Sequence, residues 1–304
     1  MKVYIIGYGA IGKALAVFLK REGRDVTLLR GRRGEGAKGE VPLNITMPDD
    51  TVQEAAVEVA TLDAFGELDG VVVLANKSFG NRQLAQSLVD KTGHSPLVIL
   101  QNGLDVEAPF LEAGFKDVYR CVLFATAQVE DEMMVRFKPV AASPIGVIEG
   151  WTEILSKVVE TLSTPSFQFN AEASIQEVIW KKAIVNSAFN SICPLLEIDN
   201  GVFYRNEEAL AIARQVIEEC LLVAKAKGVQ LELGEVLNLL LQISKSSDGQ
   251  LISTLQDIKK HRPTEIDTLN MAIAAMADSL KIGERVAVTR ALGKLIKIKE
   301  TVNL

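Results

Sequence analysis

The chain has 304 residues, is 48% hydrophobic and 24% charged, and carries a formal net charge of −6. That balance describes a globular protein with ample core material, in one large or two ordinary domains. Mild acidity without a basic arm or a long Lys/Arg run argues against nucleic acid and against electrostatic membrane association. No run of about 18 apolar residues suggests a membrane span.

Cys121, Cys193 and Cys220 are widely spaced among apolar residues. They read as small buried hydrophobes rather than a disulfide framework or a CxxC metal site. His94 and His261 stand far apart, so no metal site is expected. The N-terminus, "MKVYIIGYGAIG", is interrupted by glycines and lacks a small-residue cleavage site. A reducing cytoplasm is therefore the expected location.

In chain order, the first half alternates strand-like and helix-like segments. Residues 2–6 form a short apolar run that ends at Gly7, and residues 10–22 have helical periodicity. Residues 25–29 read as a second strand. "GVVVL" at 70–74 and "PLVIL" at 96–100 are continuously apolar, as buried parallel strands are, with a helix expected over 81–90 between them. Residues 118–124, 133–137 and 145–148 read as further strands of the same sheet, the later ones antiparallel. From about residue 171 the segments turn helical, over 174–196, 206–227, 233–245, 263–280 and 285–301. The pattern predicts an α/β Rossmann-type doubly wound sheet over 1–166, followed by an all-helical C-terminal domain over 167–304.

"GYGAIG", comprising Gly7, Tyr8, Gly9, Ala10, Ile11 and Gly12, is a G-x-G-x-x-G between the first strand and the first helix. In that context Gly7 permits a tight turn and Gly9 lets backbone approach a pyrophosphate. Gly12 allows close packing of helix on strand, and the helix N-terminus offers free N–H groups to phosphate. After the second strand comes Arg30-Gly31-Arg32-Arg33 in place of an acid. Arginines suit a ribose 2′-phosphate, so NADPH is the expected cofactor. Asn76-Lys77 and Gln101-Asn102-Gly103 follow other strands of this sheet, at the carboxyl ends where ligands bind in open α/β sheets.

In "IWKKAIVNSAFN", residues 179–190, Lys182, Asn186 and Asn190 recur every four residues and share one stripe of a mostly apolar helix. A cation and two carboxamides there are either a solvated edge or a binding surface.

These motifs, in this order over nearly the whole chain, resemble the ketopantoate reductase family. They are "GYGAIG", Lys77 after "VVVLAN", "LQNG" with Asn102, "WKKAIVNSAFN" and "STLQDIKKHRPTEID". The resemblance implies a Rossmann domain followed by a helical domain, in a cytoplasmic oxidoreductase of pantothenate and coenzyme A biosynthesis. It implies that Lys182 is the general acid and that Asn186, Asn190, Asn200 and Ser253 bind substrate. It places Glu265 near the nicotinamide ribose and makes Lys77 and Asn102 cofactor or active-site contacts. Arg30 is the closest match to the phosphate-binding arginine, with Arg32 as the alternative. The implied partners are NADPH and a small 2-keto acid, and a homodimer is admitted without being specified.

The residue types suit that chemistry. Hydride attack on a 2-keto acid builds an alkoxide at C2, which a neighbouring cation stabilises and then protonates. Neutral carboxamides hold hydroxyl and carboxylate groups without adding charge. Some positions depart from the family pattern. Ser191-Ile192 replace Pro-Leu, Thr254 stands where methionine is common, and Arg285–Thr289 replace a "PTPVN" segment. Three readings follow: reduction of 2-dehydropantoate to pantoate, reduction of another small 2-keto acid or opine-type substrate, or a catalytically silent NADP(H)-binding regulator.

Overall fold

The computed structural model describes residues 1–31 and 38–302. They divide into two units, Met1–Gln101 with Val106–Ile175, and Asn102–Asp105 with Gln176–Leu304.

In the first unit the elements follow the chain as β1 (Val3–Ile6), α1 (Ala10–Arg21), β2 (Val26–Arg30), β3 (Gly39–Thr46), β4 (Val52–Thr61) and β5 (Val71–Leu74). Next come α2 (Asn81–Thr92), β6 (Leu97–Ile99), α3 (Ala108–Glu112), β7 (Val118–Cys121), β8 (Ala125–Val129) and β9 (Met134–Pro139). The unit ends with β10 (Ser143–Glu149), α4 (Thr152–Leu162) and β11 (Phe169–Ala171). Among the described residues the strands join one eleven-stranded sheet in the order β11-β10-β7-β6-β5-β1-β2-β4-β3-β9-β8.

The centre, β2-β1-β5-β6-β7, is parallel. These mostly apolar strands are covered on both faces. Val3 and Ile5 of β1 pack with Leu15 and Phe18 of α1, while Tyr4 between them packs with Val72, Leu88 and Phe110 on the other side.

The periphery departs from expectation. Residues 39–61 hold two strands that local pattern does not announce. "VQEAAVEVAT" mixes helix formers with valines, and its strand state is set by pairing with β2 on one side and β3 on the other. Among the later strands β10 is antiparallel to β7, but β9 is parallel to β3 and antiparallel only to β8. β11 pairs with β10, so residues 167–175 group with the sheet, past the expected boundary after 166.

The second unit contains α5 (Ile175–Leu196), α6 (Val202–Arg205), α7 (Glu207–Ala226), α8 (Leu233–Ser246), α9 (Ser253–Lys259), α10 (Asn270–Ser279) and α11 (Ala287–Val302). Ile184, Ala188 and Phe189 of α5 are buried, and Phe189 meets Phe203 edge-on at 4.8 Å. The single helix expected over 263–280 is instead a 3-10 turn, Ile266–Thr268, followed by α10. Leu269, at φ −115° and ψ −106°, interrupts the helical path between them. The short helix α9 has too few residues for its periodicity to stand out.

Among the described residues no helix is long and apolar enough to cross a membrane, and no cluster of His, Cys, Asp and Glu could hold a metal ion. All three cysteines are buried and none is in a disulfide, and burial pushes the Cys193 and Cys220 thiols up to about 12.

Candidate functional site

The glycine turn is wedged between two strand ends. Gly7 donates its N–H to the Leu29 carbonyl at 3.0 Å, and Ala75 donates to Ile6 at 2.8 Å. Gly7 has φ +130°, and a Cβ there would lie 2.5 Å from the Asn76 nitrogen, so only glycine fits. A Cβ on Gly12 would overlap the Gly7 carbonyl oxygen. Gly9 is different. It is exposed, it is the N-cap of α1, and a Cβ on it meets nothing within 4 Å. That open space over a helix N-terminus is what the approach of a pyrophosphate requires.

Tyr8, Ala10 and Ile11 are half-buried around this turn. Arg30, at the end of β2, is half-buried and close enough to Tyr8 to act on its hydroxyl. Burial raises the Tyr8 pKa, Glu132 adds to the rise, and Arg30 opposes it. The Arg30 Nε is buried with no hydrogen-bond partner among the described residues, as suits a group that waits for an anion. Arg32 and Arg33 lie outside the described residues. Lys77 is exposed just past β5. It follows Asn76, whose side-chain N–H donates to the Lys77 carbonyl at 2.8 Å and whose Oδ1 is buried without a partner among the described residues.

Sequence reasoning passed over Lys13. It is only 3% exposed, its Nζ donates to the Glu132 carbonyl at 2.6 Å, and it lies 4.3 Å from the Tyr8 ring centroid. With Gly9 as N-cap, Tyr8 is N′ and Lys13 is N4, the pair of positions that staples the entry of a helix. Here a cation over a ring replaces the usual apolar contact. Burial lowers the Lys13 pKa, and Glu132 and Asp131 oppose that shift.

Gln101 was grouped with the ligand-facing loop, and the structure buries it instead. It exchanges two amide hydrogen bonds with Asn81, at 2.7 and 2.9 Å, while Arg120 donates to its carbonyl at 3.3 Å and also pairs with Glu107. This buried network anchors the strand end.

In the second unit, the 102–105 segment docks on the turn beside Glu265. Leu104 N–H donates to the Thr268 carbonyl at 2.8 Å, and Thr268 donates twice to the Glu265 carbonyl, both at 3.0 Å. Asn102 and Glu265, both half-buried, thus belong to adjoining segments. Gly103 has φ +102°, and a Cβ on it would strike the Thr268 side chain. Gly103→Ala is therefore expected to cost about 1–3 kcal/mol in chemical denaturation, from strain plus overpacking. Unchanged stability would show that this segment is not held against Thr268.

The stripe on α5 is not a solvated edge. Lys182 and Asn186 are half-buried, and Asn190 is 4% exposed. Asn190 Nδ2 donates to the Asn186 carbonyl at 3.0 Å, while its Oδ1 accepts from Thr254 Oγ1 at 2.8 Å and lies 3.5 Å from Ser253 Oγ. The stripe and the exposed Ser253 are thereby brought together. Lys181 faces elsewhere and pairs with Glu235 at 3.0 Å.

Asn200 is placed by a separate clamp. Asp199 accepts from the Gly201 N–H at 2.7 Å, from the Gly249 N–H at 3.2 Å, and from Arg205 at 2.9 Å. Asn200 N–H donates to Gln250 at 2.9 Å, which ties this turn to the segment leading into Ser253. The Asn200 Oδ1 is buried and unpaired among the described residues.

Comparison with known proteins bears on this arrangement as a whole. Residues 3–149 match the family profile described as "Ketopantoate reductase PanE/ApbA", and residues 174–300 match its C-terminal counterpart. A 2-dehydropantoate 2-reductase of Pyrococcus abyssi is 30% identical over 302 residues, covering 99% of this chain and 98% of that one. In fold, a PanE/ApbA family ketopantoate reductase from Ralstonia eutropha aligns with TM-score 0.87 at 24% identity, over 100% of this chain and 99% of that one. A D-mandelate dehydrogenase, solved with NADH and anilino(oxo)acetate, aligns with TM-score 0.84 at 21% identity, over 100% and 99%. Matched from end to end in sequence, the chain belongs to the ketopantoate reductase family of oxidoreductases.

Proposed function

We propose that the protein reduces 2-dehydropantoate to pantoate with NADPH, using Lys182 as general acid. The observation that carries this reading is the stripe on α5. Asn190, nearly buried, is bonded to the segment that bears Ser253, on the same helical line as Lys182. A stripe tied in this way presents fixed polar groups rather than mobile ones, which is what substrate orientation needs.

In the first unit the residues fit a dinucleotide. The N-terminus of α1 past Gly9 would take the pyrophosphate, Arg30 the 2′-phosphate, and Lys77 a further phosphate or ribose contact. A reduced nicotinamide, when bound, supplies hydride. Asn186, Asn190, Asn200 and Ser253 would orient the keto acid through its carboxylate and hydroxyl groups. Lys182 would stabilise the alkoxide forming at C2 and hand it a proton, and Glu265 would set the local field beside it.

Steady-state oxidation of NADPH across a panel of 2-keto acids tests the reading, with 2-dehydropantoate expected to give the highest kcat/KM. NADPH is expected to bind at least about tenfold tighter than NADH, or about 1.4 kcal/mol. Equal affinities in a fluorescence titration would reject the assignment of Arg30 to a phosphate. A second reading, reduction of another small 2-keto acid, is favoured by Thr254 and Ser191-Ile192, which depart from the family pattern near the stripe. The same panel separates the two. A silent nucleotide-binding regulator would turn over none of the acids, and the retained Lys182 and Glu265 speak against it.

A further inference from the structure

Oxygen atoms surround the carboxamide of Asn190. Nδ2 lies 3.0 Å from the Asn186 carbonyl, and Oδ1 lies 2.8 Å from Thr254 Oγ1 and 3.5 Å from Ser253 Oγ. The Asn186 carbonyl can only accept, so the amide nitrogen has to face it; the flipped amide would set two acceptors against each other. Oδ1 therefore faces the hydroxyls, and the Thr254 hydroxyl has to be the donor. Thr254 is 2% exposed at the start of α9, so no bulk water substitutes for it.

The proton inventory then has a consequence. Thr254 fills one of the two lone pairs of Oδ1, and of the two amide N–H groups one is committed to the Asn186 carbonyl. The 3.5 Å contact from Ser253 is long, and Ser253 is exposed, so its hydroxyl can turn toward a ligand. We propose that Thr254 is a positioning residue that locks the Asn190 carboxamide, so that its second N–H is presented to substrate as a donor. This rests on the reading that Asn190 contacts substrate. It narrows the substrate class to acids that present an acceptor oxygen at Asn190, a carboxylate, carbonyl or hydroxyl lone pair.

The test pairs Thr254→Val, which keeps the branched shape and loses the hydroxyl, with Thr254→Ser, which restores the donor. In Thr254→Val the keto-acid KM is expected to rise about tenfold, the size of one lost hydrogen bond. The kcat and the NADPH affinity are expected to stay within about twofold, and Thr254→Ser to match the wild type. A purely structural role would lower the thermal midpoint without that KM-against-kcat split. A second readout needs no turnover. The Asn190 side-chain N–H pair in 15N spectra, identified by its absence from Asn190→Asp, should be sharp in wild type and Thr254→Ser and broadened in Thr254→Val. Thr254→Ala replaces the valine variant should that one not fold. Identical amide signals in all variants, an unchanged KM in Thr254→Val, or a serine variant as impaired as the valine one would overturn the proposal. If the wild type reduces no keto acid, the proposed function fails, while the amide signals still decide whether Thr254 locks Asn190.

Discussion

Lys182→Ala is expected to lower kcat by about 10² to 10⁴, the usual size of a positioned proton transfer, while Lys181→Ala leaves kcat nearly unchanged. The two residues are adjacent and chemically identical, and only their helical phase differs, by about 100°. The structure gives that phase a physical content. Lys181 reaches outward to Glu235 in an ion pair whose side chains are 34% and 59% exposed, a contact worth little to stability and nothing to chemistry. Lys182 is half-buried on the line of Asn186 and Asn190. A proton donor also leaves a signature in the pH profile. The rate should fall as pH rises and the donor loses its proton, and that alkaline limb should be missing from the residual activity of Lys182→Ala. If Lys181→Ala were the crippling change, the stripe would be assigned to the wrong face of α5.

Gly9→Val is expected to weaken NADPH by at least about a hundredfold, or about 2.8 kcal/mol, in a protein that still folds. Gly9 has extended backbone, φ −88° and ψ −174°, which valine adopts without strain, and its Cβ would meet no protein atom within 4 Å. The cost in the free protein is that of a poorer N-cap, about 1 kcal/mol. Gly12→Ala is the contrasting control. Its Cβ would overlap the Gly7 carbonyl oxygen, so it should lose about 1–3 kcal/mol of stability before any ligand is added. Two glycines of one motif thus separate into a ligand-facing position and a packing position. Isothermal titration with NADPH and thermal unfolding, measured on both variants, distinguish the two. Wild-type affinity in Gly9→Val would remove this turn from the cofactor site.

Those two glycines also mark how far the motif could be read without coordinates. Their spacing after an apolar run identifies the turn, but which of them touches protein depends on how the turn folds back, with the Gly7 carbonyl brought against Gly12 and open space left over Gly9. Arg30 follows the same rule. Its place at the end of β2 was legible, whereas its proximity to Tyr8 and its Nε, unpaired among the described residues, were not. Lys13 looked like an ordinary helix residue because its partner, the Glu132 carbonyl, belongs to the segment between β8 and β9. Gln101 looked like a loop residue because the amide that pairs with it is Asn81, on α2.

By itself the sequence determined the features carried by local periodicity. Continuous apolar runs marked β5 and β6 as buried parallel strands, and a four-residue repeat placed Lys182, Asn186 and Asn190 on one line. Such features depend on a strand period of 2 or a helix period of 3.6, which a short window contains in full. Tertiary structure decided what depends on a distant partner. Residues 52–61 became a strand through ladders with β2 and β3, and the segment over 263–280 broke at Leu269. Asn190 changed from a polar residue on a helix to an oriented amide because its nitrogen faces the Asn186 carbonyl and its oxygen accepts from Thr254, 64 positions away in sequence. Hydrogen-bond direction and burial are properties of a packed neighbourhood, and no local pattern encodes them.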